Sequence, residues 1–363
     1  MLDRRLPDFP WDLLASQSAT ARAHPAGLIN LSMGTPVDPV PQLIRDALAS
    51  ASAAPGYPTT HGTAELRESA VEALRRRHGV GGVAPDAVLP TIGSKELVAW
   101  LPTLLGAGPG NTVVIPALAY PTYEVGVRLA GATLVRSDSL LALGPTRPAI
   151  IWLNSPANPT GQVLPAEHLR KVVDWARERG TVVVSDECYL TLGWDVEPLS
   201  VLHPEVCGGR FDGLLAVHSL SKCSSLAGYR AGFLTGDPAL VARLLEIRRH
   251  AGMIVPGPVQ AAMTAALRDD GHIAAQRARF EARRAILREA LASAGFRIDH
   301  SEAGLYLWAT RDEDAWTTVA DLARRGILVA PGTFYGPSAT RHVRVALTAT
   351  DEQVAEVPGR LAG

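Results

Sequence analysis

The chain has 363 residues, 47% of them apolar and 20% charged, which excludes a disordered polypeptide and gives length for two domains rather than one. With 35 basic against 36 acidic residues the net charge is -1, so the basic footprint of a nucleic-acid binder is missing and a small ligand held locally fits better. Cys188, Cys207 and Cys223 have no zinc or redox spacing, and a reduced, cytoplasmic chain is expected. Arg4 and Arg5 have no apolar run behind them, and nothing approaches the roughly 18 apolar residues of a spanning helix, so neither export nor membrane insertion is expected.

In chain order, residues 1–40 are rich in Pro, Gly, Ser and Ala and read as an arm that joins a second domain or a neighbouring subunit. Residues 41–255 read as a large domain. Within it the runs Val113–Ile115, Ala149–Leu153, Val182–Val184, Leu214–Val217 and Ala231–Leu234 lack polar alternation, as strands buried on both faces do, and helical patterns separate them at βαβ spacing. Ala166–Arg179 places Leu169, Val172, Val173 and Ala176 on one face before Gly180, the pattern of an amphipathic helix with a glycine stop. Residues 256–363 read as a smaller α+β domain. A helical pattern over Val259–Ala294 breaks near Asp269–Gly271, and strands at Gly304–Ala309, Ile327–Val329 and His342–Leu347 flank a helix at Trp316–Arg325.

No dinucleotide fingerprint, Walker loop, serine elbow or paired metal-spaced histidines occur, and no metal is expected. Ligands of an open parallel sheet bind beyond the carboxyl ends of its strands. There the chain places Asn154 to Gly161, then Ser185 to Tyr189, then His218 to Lys222. Lys222 is one of only three lysines, with Lys95 and Lys171. Singly, Asp186 reads as a helix cap, Tyr189 as core, Lys222 as a surface charge and Asn158-Pro159-Thr160-Gly161 as a turn. Together, at the ends of successive strands, they read as one site that meets the demands of pyridoxal 5′-phosphate. Lys222, desolvated at a strand end, supplies the amine. Asp186 faces the pyridinium nitrogen, and Tyr189 and Asn158 reach the phenolic oxygen.

These motifs resemble those of the class I/II pyridoxal-phosphate enzymes, the aspartate aminotransferase superfamily, from about Leu31 to Leu347. Ser219-Leu220-Ser221-Lys222 followed by Gly228-Tyr229-Arg230 is similar to the family's lysine motif, and the resemblance gives Ser219 and Arg230 to the cofactor phosphate. It implies that Gly93-Ser94-Lys95 opens the helix whose amides meet that phosphate, and that Tyr120 stacks on the pyridine ring. Tyr57 resembles the tyrosine that reaches the phosphate of the neighbouring subunit, which implies a homodimer. Arg344 in His342–Ala346 resembles the arginine that grips the substrate α-carboxylate, with Asn158 beside it, and Gly34 resembles the loop glycine that closes over substrate. The implied fold is pyridoxal-phosphate fold type I, a mostly parallel seven-stranded sheet between helices plus a smaller α+β domain built from the arm and the C-terminal region.

The implied reaction is transamination between amino and keto acids, with glutamate and 2-oxoglutarate as one pair. The opening Leu6–Asp12 and the compact length resemble the succinyldiaminopimelate transaminases of lysine and diaminopimelate biosynthesis, and the preference for Arg over Lys agrees with a high-GC genome. Arg22 and Arg128 are the arginines considered for the distal end of such a substrate, though solvated surface positions describe them better. An aspartate- or aromatic-type aminotransferase is the alternative reading. A pyridoxal-phosphate lyase and a regulator that binds the cofactor as a sensor are the further ones, and the short segment before the first motif argues against the regulator.

Overall fold

The computed structural model describes residues 6–363; Arg4 and Arg5 lie outside them. The strands in chain order are β1 (Ile29–Asn30), β2 (Val88–Ile92), β3 (Thr112–Ile115), β4 (Thr133–Arg136), β5 (Ile150–Asn154), β6 (Val182–Asp186), β7 (Leu214–Ser219), β8 (Ala231–Gly236), β9 (Arg297–Asp299), β10 (Tyr306–Thr310), β11 (Ile327–Leu328), β12 (Ala330–Pro331) and β13 (His342–Ala346). Seven of them form the large sheet in the order β2-β8-β7-β6-β5-β3-β4. Its pairs are parallel except those that β8 makes with β2 and β7. This is the expected fold type I sheet.

Both faces of that sheet are covered, and the alternation along each strand shows how. Val114, Ile151, Leu153, Val183, Leu214 and Ala216 enter one apolar core. Their neighbours Val113, Ile150, Trp152, Val184 and Leu215 enter the other. Helix Ala166–Arg179 buries Leu169, Val172, Val173 and Ala176, and Gly180 ends it at φ 67°.

A third core joins β10, β13 and helix Ala315–Arg324 to Leu14, Ala21, Ile29 and Leu31 of the first forty residues. Here the antiparallel sheet runs β12-β13-β10-β9, while β1 pairs in parallel with β11. The expected helical break falls near residue 270, between helices Gly257–Arg268 and Gly271–Ser293. Helix Gly257–Arg268 puts Ala262, Met263, Ala266 and Leu267 into the core of the large sheet. Only the next helix, Gly271–Ser293, carries the chain across, with Phe280 and Leu287 in the third core. Arg77 closes the first helix by donating to the carbonyls of Ala266, Leu267 and Asp269, which answers the unpaired acceptors of a helix end. Among the described residues no helix is long and apolar enough to cross a membrane.

Candidate active site

Strands β5, β6 and β7 end side by side, with Asn154 opposite Asp186 and Asp186 opposite Val217, and a cavity of about 520 Å³ opens beyond them. Lys222, just past β7, donates from Nζ to the carbonyl of Gly34. Burial holds its ammonium below the ordinary lysine value, against the pull of Tyr306 and Cys188. Asp186, at the end of β6, is buried, and burial raises its carboxyl above the usual range. Its hydrogen-bond partners are neutral: the Tyr123 hydroxyl at 2.7 Å and the Cys188 amide at 3.2 Å. Burial, reinforced by the Asp186 charge, keeps the Tyr123 phenol protonated far above its ordinary value. Its ring stacks on Trp152 at 4.9 Å, so the donor is fixed.

One side of the cavity is the start of helix Gly93–Leu104. Gly93 sits at φ 70°, and a Cβ there would run into the guanidinium of Arg230, so only glycine fits. Arg230 itself adopts φ 57°. Lys95 Nζ lies 5.4 Å from the centre of the Phe9 ring; burial and then Arg230 lower its pKa.

The other side comes from the third core. Arg344 on β13 is buried and donates from Nη1 to Asn158 Oδ1 at 2.9 Å and from Nη2 to the Ser32 carbonyl at 2.6 Å. The Arg344 contact uses the Asn158 oxygen, so the Asn158 amide NH₂ remains as a donor. Asn158 is anchored in turn through its backbone N–H, which donates to Asn154 Oδ1 at 2.8 Å.

Of the residues singled out in the sequence, Gly34, Ser94, Lys95, Tyr120, Asn158, Asp186, Tyr189, Ser219, Lys222, Arg230 and Arg344 line this one cavity, and Gly93 backs Arg230. Tyr57 does not join them: it is fully exposed on a separate groove. Arg22 is exposed on its helix, and Arg128 pairs with Glu124; neither lines the cavity. Sequence reasoning missed Asn154, Cys188 and Tyr306, as well as Phe9 and Trp11 from the arm. Asn154 and Cys188 lie in the segments that the strand-end rule singles out, but only their neighbours receive roles. Tyr306 carries no such signal.

The family profile for aminotransferase class I and II matches residues 26–361. The chain belongs to that family. This aminotransferase is 66% identical over 356 residues to the probable aminotransferase Rv1178 of Mycobacterium tuberculosis, covering 98% of this chain and 85% of that one. It is 59% identical to the 4-dedimethylamino-4-oxo-anhydrotetracycline transaminase OxyQ of Streptomyces rimosus, over 99% of both chains. Among solved structures it is similar to a probable N-succinyldiaminopimelate aminotransferase from Thermus thermophilus, with TM-score 0.87 and 27% identity over 97% of this chain and 99% of that one.

Class I and II aminotransferases use pyridoxal 5′-phosphate, and the donor set of this aminotransferase fits the group. An amine whose ammonium form burial disfavours faces the same cavity as a buried carboxylate that has no cationic hydrogen-bond partner, and a cation on an adjacent ring nitrogen would supply one. The helix start at Gly93, with the Arg230 guanidinium against it, has the polarity to receive the phosphate of that group.

Proposed function

We propose that this aminotransferase exchanges an amino group between glutamate and N-succinyl-2-amino-6-oxopimelate, the succinyldiaminopimelate transaminase reaction of lysine and diaminopimelate biosynthesis. The observation that carries the reading is the shape of the cavity. Arg344 offers one buried carboxylate grip, while the same space runs on to Phe9 and Trp11 of the arm, room for a long side chain rather than a short one. The name of the Thermus thermophilus structure supports it.

Bound pyridoxal phosphate supplies an aldehyde carbon that takes the amino group and a ring that draws electrons from the substrate α-carbon. The residues do the rest. Lys222 is the base that moves a proton between the α-carbon and the cofactor C4′ carbon. Asp186, held by Tyr123 and the Cys188 amide, keeps the ring nitrogen protonated. Tyr189 and Asn158 would donate to the phenolic oxygen, Tyr120 would stack on the ring, and Arg230, Ser219 and the amides of Gly93, Ser94 and Lys95 would hold the phosphate. Arg344 binds the α-carboxylate in the two-pronged way that guanidinium allows, under the loop of Gly34.

A second reading, amination of a ketone on a polycyclic aromatic substrate, is favoured by the likeness to OxyQ and by the Phe9, Trp11, Tyr120 and Tyr306 rings on the cavity. The purified enzyme is expected to be yellow, to bleach on borohydride reduction and to carry the pyridoxyl label on Lys222. A colourless protein that takes up no pyridoxal phosphate ends the reading of the site. With glutamate as donor, 2-oxoglutarate should be released with the succinylated keto acid. Silence there, beside turnover of oxaloacetate, an aromatic keto acid or a polycyclic ketone, replaces the substrate.

A further inference from the structure

Tyr306 reaches into the cavity from β10, and it touches both ends of the chemistry. Its hydroxyl lies 3.0 Å from that of Tyr189, both side chains are buried, and the rings meet edge to face at 5.7 Å. The guanidinium carbon of Arg344 stands 3.9 Å from the centre of the Tyr306 ring. The hydroxyl also excludes any residue but glycine at position 34, where a Cβ would collide with it. So one side chain from the second sheet contacts the α-carboxylate grip, the closing loop and the phenol that serves the cofactor oxygen.

We infer that Tyr306 is a positioning residue that sets the donor strength of Tyr189, its hydroxyl donating to the Tyr189 oxygen so that the Tyr189 proton is committed to the cofactor. The inference rests on the role given to Tyr189 under the proposed function. The direction follows from counting protons: each phenol has one to give. Were Tyr189 to spend its own on Tyr306, the cofactor oxygen would face a lone pair instead of a donor. In the opposite sense both hydroxyls are satisfied, and the first bond polarises the second. A stronger donor stabilises negative charge on the phenolic oxygen. The cofactor then gives up its titrating proton at lower pH than it would beside an unassisted Tyr189.

The test is the pH midpoint of the visible colour change of the holoenzyme, read for wild type, Tyr189→Phe, Tyr306→Phe and the double variant. Tyr189→Phe, which deletes a hydrogen bond to a charged oxygen, should raise the midpoint by about 1 to 2 pH units. Tyr306→Phe, which removes only the polarising contribution, should raise it by about 0.1 to 0.7 of a unit. The double variant should match Tyr189→Phe. The KM for carboxylate substrates should hold in Tyr306→Phe, whose ring still lies under Arg344, and rise in Tyr306→Leu, whose ring is gone. If Tyr189→Phe shifts the midpoint and Tyr306→Phe does not, or if the two shifts add in the double variant, the inference falls and the role of Tyr189 stands. A midpoint unmoved by Tyr189→Phe removes both.

Discussion

Glu187 follows Asp186 directly but turns away from the cavity. Its Oε1 accepts from the Val201 amide at 2.7 Å, and its Oε2 faces His218 Nε2 at 3.8 Å, with the His218 ring stacked on Phe233. Burial, with Asp186 adding to it, pushes Glu187 up from 4.5 to about 7. Burial, with His78 adding to it, pushes His218 down from 6.5 to about 3. Between pH 4.5 and 6.5 the folded pair and the unfolded pair each hold one proton, so stability from these groups is level. Above pH 6.5 the folded state keeps a proton the unfolded state has lost, and below pH 4.5 the unfolded state gains one the folded state refuses; stability falls both ways. Glu187→Gln removes the Glu187 part alone. Relative to wild type its stability should rise by about 3 kcal/mol from pH 4.5 to about 7 and stay level above. Denaturant midpoints from pH 4 to 8 check this, and a difference that is constant with pH refutes it. Residue by residue, the candidate site was legible where it follows a strand end: Lys222, Asp186, Asn158. It was illegible where an aromatic inside a buried strand reads as packing. Nothing local distinguishes Tyr306 on β10 from Trp308, and the hydroxyl partner that sets it apart comes from a residue more than a hundred positions away.

Helices Gly93–Leu104 and Thr122–Ala130 show the same limit at the scale of an element. They touch at Gly126, where a Cβ would stand 2.8 Å from the Val98 carbonyl oxygen and 3.0 Å from that of Ala99. Intrinsic helix propensity favours alanine there by about 1 kcal/mol, but the contact is backbone against backbone, and overpacking costs about 1–3 kcal/mol. Gly126→Ala should therefore destabilise the protein by about 1 kcal/mol on balance. It should also weaken cofactor binding, because the displaced helix begins at the proposed phosphate site. Urea unfolding and a pyridoxal-phosphate titration measure the two effects, and an unchanged or raised stability means the helices part at no cost. The continuous apolar strands β3, β5, β6, β7 and β8 were readable from composition. Strand β2 contains Pro90, β4 ends in Arg136 and β9 reads Arg-Ile-Asp, so each takes its strand character from a neighbour. A Ser-His-Asp set does occur, with Ser224 Oγ 2.9 Å from His272 and His272 2.7 Å from Asp269. Ser224 is 1% exposed, so the trio clamps the segment after Lys222 to the start of helix Gly271–Ser293 rather than attacking a substrate.

At the scale of the whole molecule, one residue is out of place. Tyr57 stands fully in solvent, between Pro55 and Pro58, beside a groove of about 600 Å³ that includes Gly257 and Gln260. A large aromatic held at such a point stabilises nothing in its own chain. The homodimer that the family resemblance implies would give it work, Tyr57 of each subunit then donating to the phosphate in the site of its partner. The arrangement has a signature that no single-chain site can imitate. In a mixed dimer of one Lys222→Ala subunit and one Tyr57→Phe subunit, sharing puts both lesions into one site and leaves the other intact. That dimer, isolated with two affinity tags, should work at about half the wild-type rate per dimer, as two-fold symmetry requires. The Lys222→Ala homodimer should be inactive, and the Tyr57→Phe homodimer roughly ten- to a hundredfold impaired in cofactor affinity for want of a hydrogen bond to a charged group. If Tyr57 served its own subunit, every site in the mixed dimer would carry a lesion. Its cofactor affinity would then be that of the Tyr57→Phe protein.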